Sequence, residues 1–164
     1  MAPGYAILSL MKMIIISVGG KTDSNLTSAI DYYLKRLNIT VEWVLLDPPK
    51  GDLSVAERRD AETNLMLVRL AKLKSIFSIL LDETGENISS PQLAKKIESA
   101  FNQSLVPVFI IGGAFGVNEA CKQKVDFVWS LSKLVFPHQL VRLILVEQIY
   151  RAKSIIDNRA YHHL

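Results

Sequence analysis

Five short apolar runs alternate with longer stretches of helical spacing. That alternation constrains the chain more than anything else in it, because it is the pattern of an α/β domain on a mainly parallel sheet. Residues 13–18 (MIIISV) predict a first, fully buried strand. Helical spacing follows over 25–37, with Asp23 or Ser24 placed to cap it. A second strand is predicted over 39–46, closed by the Asp-Pro-Pro-Lys-Gly breaker at 47–51. Residues 53–73 read as a long charged helix, with Ser54 and Glu57 at capping-box spacing. A third strand over 76–81 runs into a polar loop at 82–86. Ser90-Pro91 is placed to cap and open the next helix. A fourth strand over 106–111 enters GGAFG at 112–116. A short helix over 117–124, a fifth strand over 127–131, a loop over 132–137 and a long final helix complete the chain.

The chain has 164 residues, enough for one domain with a full core. Hydrophobic residues make up 49% and charged residues 21%, a globular composition. The net charge of +3 permits a polyanionic partner without arguing for one. The lone Cys121 excludes an internal disulfide and a cysteine-rich zinc site, and no metal is expected. Lys12 interrupts the apolar N-terminal run, and Gly19-Gly20-Lys21 ends it, which argues against a secretory signal or membrane span. The expectation is a cytoplasmic protein. Residues 1–10 (MAPGYAILSL) read as an N-terminal extension, with a single domain over 11–164.

In sheets of this type, ligands bind beyond the carboxyl ends of the strands. Three segments qualify here: 81–85, 112–116 and 131–136. The glycine pair in the middle one allows close backbone approach to a ligand, although a plain tight turn fits the pattern equally well. GGAFG lacks the dinucleotide-binding spacing and has no Gly-Lys-Ser/Thr after it. The final segment holds all three histidines, His138, His162 and His163, and carries Arg142, Glu147 and Arg151 on an otherwise oily helix. Ionisable groups on such a helix need partners. Glu147 is expected to pair with Arg142 or Arg151.

Taken together, IIGGAFGVNEAC, WSLSKLVFPHQLVRLILVEQIYRA and AYHHL resemble the RlmH family of ribosomal RNA methyltransferases, a branch of the SPOUT methyltransferases. MKMIIISVGGK and LLDETG are similar to the family's opening strand and central strand-loop. The resemblance runs from about Met11 to the C-terminus, and residues 47–75 add little to it. It implies a SPOUT-type α/β fold with a C-terminal deep trefoil knot, an exception to the rule that chains are unknotted. It also implies a homodimer, onto whose second subunit the apolar final helix would pack.

The implied cofactor is S-adenosylmethionine, held by Leu81, Gly112, Leu131, Ser132, Lys133, Leu134, Val135 and Phe136. The implied reaction is methylation at N3 of pseudouridine 1915 in 23S ribosomal RNA, within the assembled ribosome. An imide nitrogen is nearly inert until its proton leaves, so the enzyme must align two centres and take or relay that proton. Arg142 is the first candidate to hold a phosphate or an imide oxygen. His138 has the intrinsic pKa to take a proton near neutrality; equally, as the residue after Pro137, it can bond backbone at the helix entry. Arg151, Tyr161 and His162 are candidates for contact with the RNA. Lys21, Lys35, Arg36 and Lys133 supply further positive charge. Two rival readings are a SPOUT enzyme acting on another RNA, such as a transfer RNA, and a non-catalytic ribosome-binding dimer.

Overall fold

The computed structural model describes residues 11–20 and 22–161. The expected extension at 1–10, and Lys21, His162 and His163, lie outside the described residues. Ten elements follow in the order β1 (Lys12–Val18), α1 (Ser24–Leu34), β2 (Thr40–Leu46), α2 (Val55–Ala71), β3 (Ile76–Asn87), α3 (Ser90–Asn102), β4 (Val106–Ile111), α4 (Glu119–Lys124), β5 (Phe127–Ser130) and α5 (His138–Ile156). The strands form one sheet in the order β2-β1-β4-β3-β5, with every pairing parallel.

The two faces of the sheet are covered by different helices, following the period-two alternation of side chains along a strand. Met13, Ile15, Phe109, Ile111 and Trp129 face α1, α3 and α5. Ile14, Ile16, Val18, Val108 and Ile110 face α2 and α4, where Met66 and the buried Cys121 meet them. Burial pushes the Cys121 thiol up to about 11, so it behaves as a small apolar core group. The apolar face of α5, through Leu145, Val146, Ile149 and Ala152, is buried against the sheet within this one chain. Its oiliness is therefore accounted for by intrachain packing.

Three local expectations change. The segment 82–86 is not a loop: β3 continues through it to Asn87, with a bulge in which Leu81 and Glu86 both pair with Trp129. An Asx turn organises the bulge, since the Asp82 carboxylate accepts from the Thr84 amide at 2.9 Å and hydroxyl at 2.5 Å. Gly85 lets the returning backbone lie against β5, where a Cβ would stand 2.6 Å from the Val128 carbonyl oxygen. The cap of α3 is Ser89 rather than Ser90, in a reciprocal capping box with Gln92, and Pro91 falls in the first turn. The first helix ends at Leu34, where a tight bond from the Arg36 amide to the Tyr33 carbonyl closes it. At the other caps Asp23 closes the start of α1, and Ser54 with Glu57 forms the expected capping box on α2.

Candidate active site

The carboxyl ends of β3, β4 and β5 and the first turn of α5 enclose a cleft of about 320 Å³. Leu81, Gly112, Leu131, Ser132, Leu134, Val135 and Phe136, seven of the eight residues expected to hold a cofactor, line it. The three strand-end segments chosen from sequence thus converge on one place. Lys133 is the exception. Its ammonium donates to the backbone carbonyls of Glu83 at 3.1 Å and Gly85 at 3.4 Å, and so ties the 131–136 loop to the β3 bulge. The same loop is shaped by Ser130, whose hydroxyl donates to the Ser132 carbonyl, and by Ser132, whose hydroxyl accepts from the Leu134 amide. Leu134 and Val135 are left 70% and 80% exposed, as apolar walls facing open space.

The glycine loop forms the opposite wall. The Gly116 amide donates to the Gly113 carbonyl at 3.1 Å, and Gly116 turns back with φ +72°. A Cβ at Gly112 would stand 3.0 Å from Val117 Cγ1, and one at Gly113 only 1.8 Å from Glu62 Oε2. The room beside Gly112 and Gly113 is thus taken up by Val117 and Glu62 of the same chain, and the Gly116–Gly113 bond makes the segment a tight turn. Glu62, Thr63 and Asp60 on α2 hold the loop from behind. Thr63 accepts from the Asn118 amide, and Asp60 accepts from the Asn118 side chain.

His138 opens α5 and lines the cleft; its Nε2 lies 2.6 Å from the Gly112 carbonyl oxygen. A carbonyl can only accept, so Nε2 carries the proton and Nδ1 holds the free lone pair. Burial, and then the neighbouring Arg142 guanidinium, hold the His138 pKa below its ordinary value, while the bond to Gly112 opposes them. The ring is neutral at pH 7. Arg142, one turn further on, is only 2% exposed and does not line the cleft. Its guanidinium donates to the Gly20 carbonyl at 2.9 Å, the Thr22 hydroxyl at 3.0 Å and the Val18 carbonyl at 3.3 Å. It therefore pins the segment after β1 beside His138.

Glu147 pairs with Arg151 at 2.7 Å, not with Arg142, and accepts from the Tyr161 hydroxyl at 3.2 Å. Tyr161 packs edge-on against Tyr150, with the Arg151 guanidinium over its ring. Burial, the neighbouring Tyr33 and the Glu147 charge all raise the Tyr161 pKa. This cluster lies well down α5. At 1.5 Å per residue, Arg151 stands roughly 20 Å along the helix from His138. The structure thus keeps Arg151 and Tyr161 together but away from the cleft of their own chain.

Asp82, which sequence reasoning did not single out, also lines the cleft. Burial raises its pKa, but bonds from Thr84 and Lys122 outweigh that and hold the carboxyl below its ordinary value. At the cleft rim the Asp82 carboxylate is thus paired with the Lys122 ammonium, 3.3 Å away. Among the described residues there is no cluster of metal-ligating side chains, and no helix long and apolar enough to cross a membrane.

A parallel sheet with a glycine-walled cleft at its strand ends defines a class that comparison makes definite. The family model described as "Predicted SPOUT methyltransferase" matches residues 11–162. Proteins named ribosomal RNA large subunit methyltransferase H are similar along nearly their whole length. The one from Methylobacillus flagellatus is 37% identical over 161 residues, covering 93% of this chain and 99% of its own. Those from Geobacter metallireducens and Dictyoglomus thermophilum are 39% and 37% identical, each over 93% of this chain and 99% and 100% of their own. The chain belongs to the SPOUT methyltransferases, in the RlmH branch that these relatives represent.

Proposed function

We propose that the chain transfers a methyl group from S-adenosylmethionine to N3 of pseudouridine 1915 in 23S ribosomal RNA. It acts on the assembled ribosome in the cytoplasm, as a homodimer. Residues 11–164 form the methyltransferase domain, its C-terminal part in a trefoil knot, with residues 1–10 preceding it. The observation that carries the reading is the convergence of the three strand-end segments on one cleft, in a chain whose relatives are named as ribosomal RNA methyltransferases.

The cleft suits the cofactor. Its volume lies at the lower end of the range for small-molecule sites. Leu81, Leu131, Leu134 and Phe136 offer apolar walls to an adenine, and the glycine loop offers backbone that no side chain shields. The Asp82 carboxylate complements a cationic sulfonium. When bound, S-adenosylmethionine supplies an electrophilic methyl group and leaves as S-adenosylhomocysteine. For that transfer the imide proton would have to leave N3, so a residue beside the methyl group would accept or relay it.

His138 holds the glycine loop through Nε2 and keeps Nδ1 as an acceptor, so it can fix the cofactor wall and receive a proton with the same ring. Arg142 acts from behind, keeping the segment after β1 against His138. Arg151, Tyr161 and His162 serve the RNA. The distance of Arg151 and Tyr161 from the cleft of their own chain favours use at the cleft of a second copy, which supports the dimer. The Arg151 guanidinium is a suitable phosphate contact.

The test is methyl transfer from labelled S-adenosylmethionine to ribosomes from a strain lacking the enzyme, followed by nucleoside analysis. Label in N3-methylpseudouridine, and little label with free large-subunit RNA, is expected. Label in another nucleoside, or equal labelling of free RNA, overturns the substrate assignment.

A further inference from the structure

We propose that Glu62 is a positioning residue for the cofactor: its carboxyl group is the polar anchor on which the Gly112–Gly116 wall of the cleft seats. The proposal rests on the reading of that cleft as the S-adenosylmethionine site. Glu62 lies on α2 and is 4% exposed, and its Oε2 has no hydrogen-bond partner among the described residues. A buried polar atom without a partner is rare in a native protein and calls for an explanation. Its environment gives one. Oε2 occupies the space that a Cβ at residue 113 would need, 1.8 Å from the ideal position, so the carboxyl presses directly on the glycine loop.

The same stretch of α2 also holds the chain just past that loop, through Thr63 and Asp60 on Asn118. Of the three, Glu62 is the one with a buried side-chain oxygen that has no hydrogen-bond partner among the described residues. Burial raises its pKa, with only the charge of Arg58 opposing. A Gly-Gly turn has backbone N–H and C=O groups that reorient at little steric cost. Once a ligand presses on the cleft side of the turn, the Glu62 carboxyl is placed to bond the backbone on the other side. Cofactor affinity then depends on a side chain that never touches the cofactor.

The experiment titrates S-adenosylmethionine calorimetrically into the full chain and its variants, with Tm and steady-state kinetics on ribosomes alongside. Glu62→Met keeps the volume and removes the orphaned oxygens. It is expected to weaken cofactor binding by about tenfold while Tm holds or rises. The KM for cofactor is expected to rise by more than kcat falls. Glu62→Gln, which keeps a donor and an acceptor, should bind within about threefold of the parent. If Glu62→Met folds poorly, Glu62→Leu takes its place: affinity below that of Glu62→Gln at matched Tm supports the polar anchor, and equal affinity overturns it. Parent-like binding by Glu62→Met, or a loss that merely tracks Tm, overturns the proposal and leaves the cleft assignment intact. No binding by the parent chain overturns both.

Discussion

His138 Nε2 donates to the Gly112 carbonyl across 2.6 Å, joining the first residue of the last helix to the first residue of the glycine loop. Two segments 26 residues apart in sequence therefore share one wall of the cleft. His138→Ala leaves that half-buried carbonyl without its donor, and should cost about 1–2 kcal/mol in urea unfolding. It should also weaken cofactor binding by about tenfold. His138→Gln, with an amide able to donate, should recover part of both. Equal binding by His138→Ala and the parent contradicts the latch.

The same histidine gives a pH dependence with a definite sign. Its folded pKa lies below the ordinary value of 6.5, so between the two the unfolded chain binds more protons than the folded one. Its contribution is fully present above 6.5 and is lost as pH falls through the depressed folded value. The parent should lose more Tm than His138→Gln on acidification from pH 7 to 5. Glu62 has the opposite sign. Its raised folded pKa means that stability is lost as pH climbs from 4.5 through that value, and Glu62→Gln should flatten this limb. Parallel Tm profiles for parent and variants would contradict both assignments.

Arg142→Ala would strip three acceptors around Val18, Gly20 and Thr22 of a buried donor, and should cost about 3 kcal/mol. Cofactor binding should fall with it, because the segment behind His138 loosens. Chemical denaturation of Arg142→Ala and Arg142→Lys checks this, with Lys expected to lie between Ala and the parent. A fully stable Arg142→Ala that lacks only methyl transfer would instead put the guanidinium on the substrate.

Gly85→Ala places a methyl group against backbone on the facing strand, with Val128 O at 2.6 Å and Trp129 N at 2.8 Å. Neither neighbour can rotate away as a side chain would. The substitution should cost about 3 kcal/mol or break the β3–β5 pairing beyond the bulge, read as a fall in Tm. An unchanged Tm would contradict the close approach.

Arg151 and Tyr161 offer a separation of roles. Arg151→Ala and Tyr161→Phe should leave cofactor affinity within about twofold while lowering methyl transfer to ribosomes by tenfold or more for Arg151→Ala. Loss of cofactor affinity in either would place these groups at the cofactor rather than the RNA.

The strands, the helix order and the cleft loops were legible because each rests on local pattern. Fully apolar runs such as MIIISV announce buried parallel strands, and ligand sites follow strand ends. The bulge at 82–86 was not legible. Asp-Glu-Thr-Gly reads as a turn in isolation, and pairing of Glu86 with Trp129 and of Asn87 with Ser130 keeps it in the sheet. Glu62 and Thr63 were missed because their helix carries charge throughout, so a buried acid looks like its exposed neighbours. The one available signal was their spacing, which puts them with Met66 and Leu70 on the inward face. Arg142 was recognised as an important residue, but its partners come from a segment more than a hundred residues earlier, which no local pattern reveals.

Calorimetric titration of S-adenosylmethionine into the parent chain and a Leu134→Ala/Val135→Ala variant tests the central claim, that the strand-end cleft is the cofactor site. Both side chains are exposed at the rim, so their truncation should leave Tm within a few degrees. Against a bound adenine each loses roughly 1 kcal/mol or more of burial, so affinity should fall by at least about tenfold. Saturable binding by the parent with that loss in the variant is the predicted result. A parent chain that takes up no cofactor, or a variant that binds as the parent does, would contradict it.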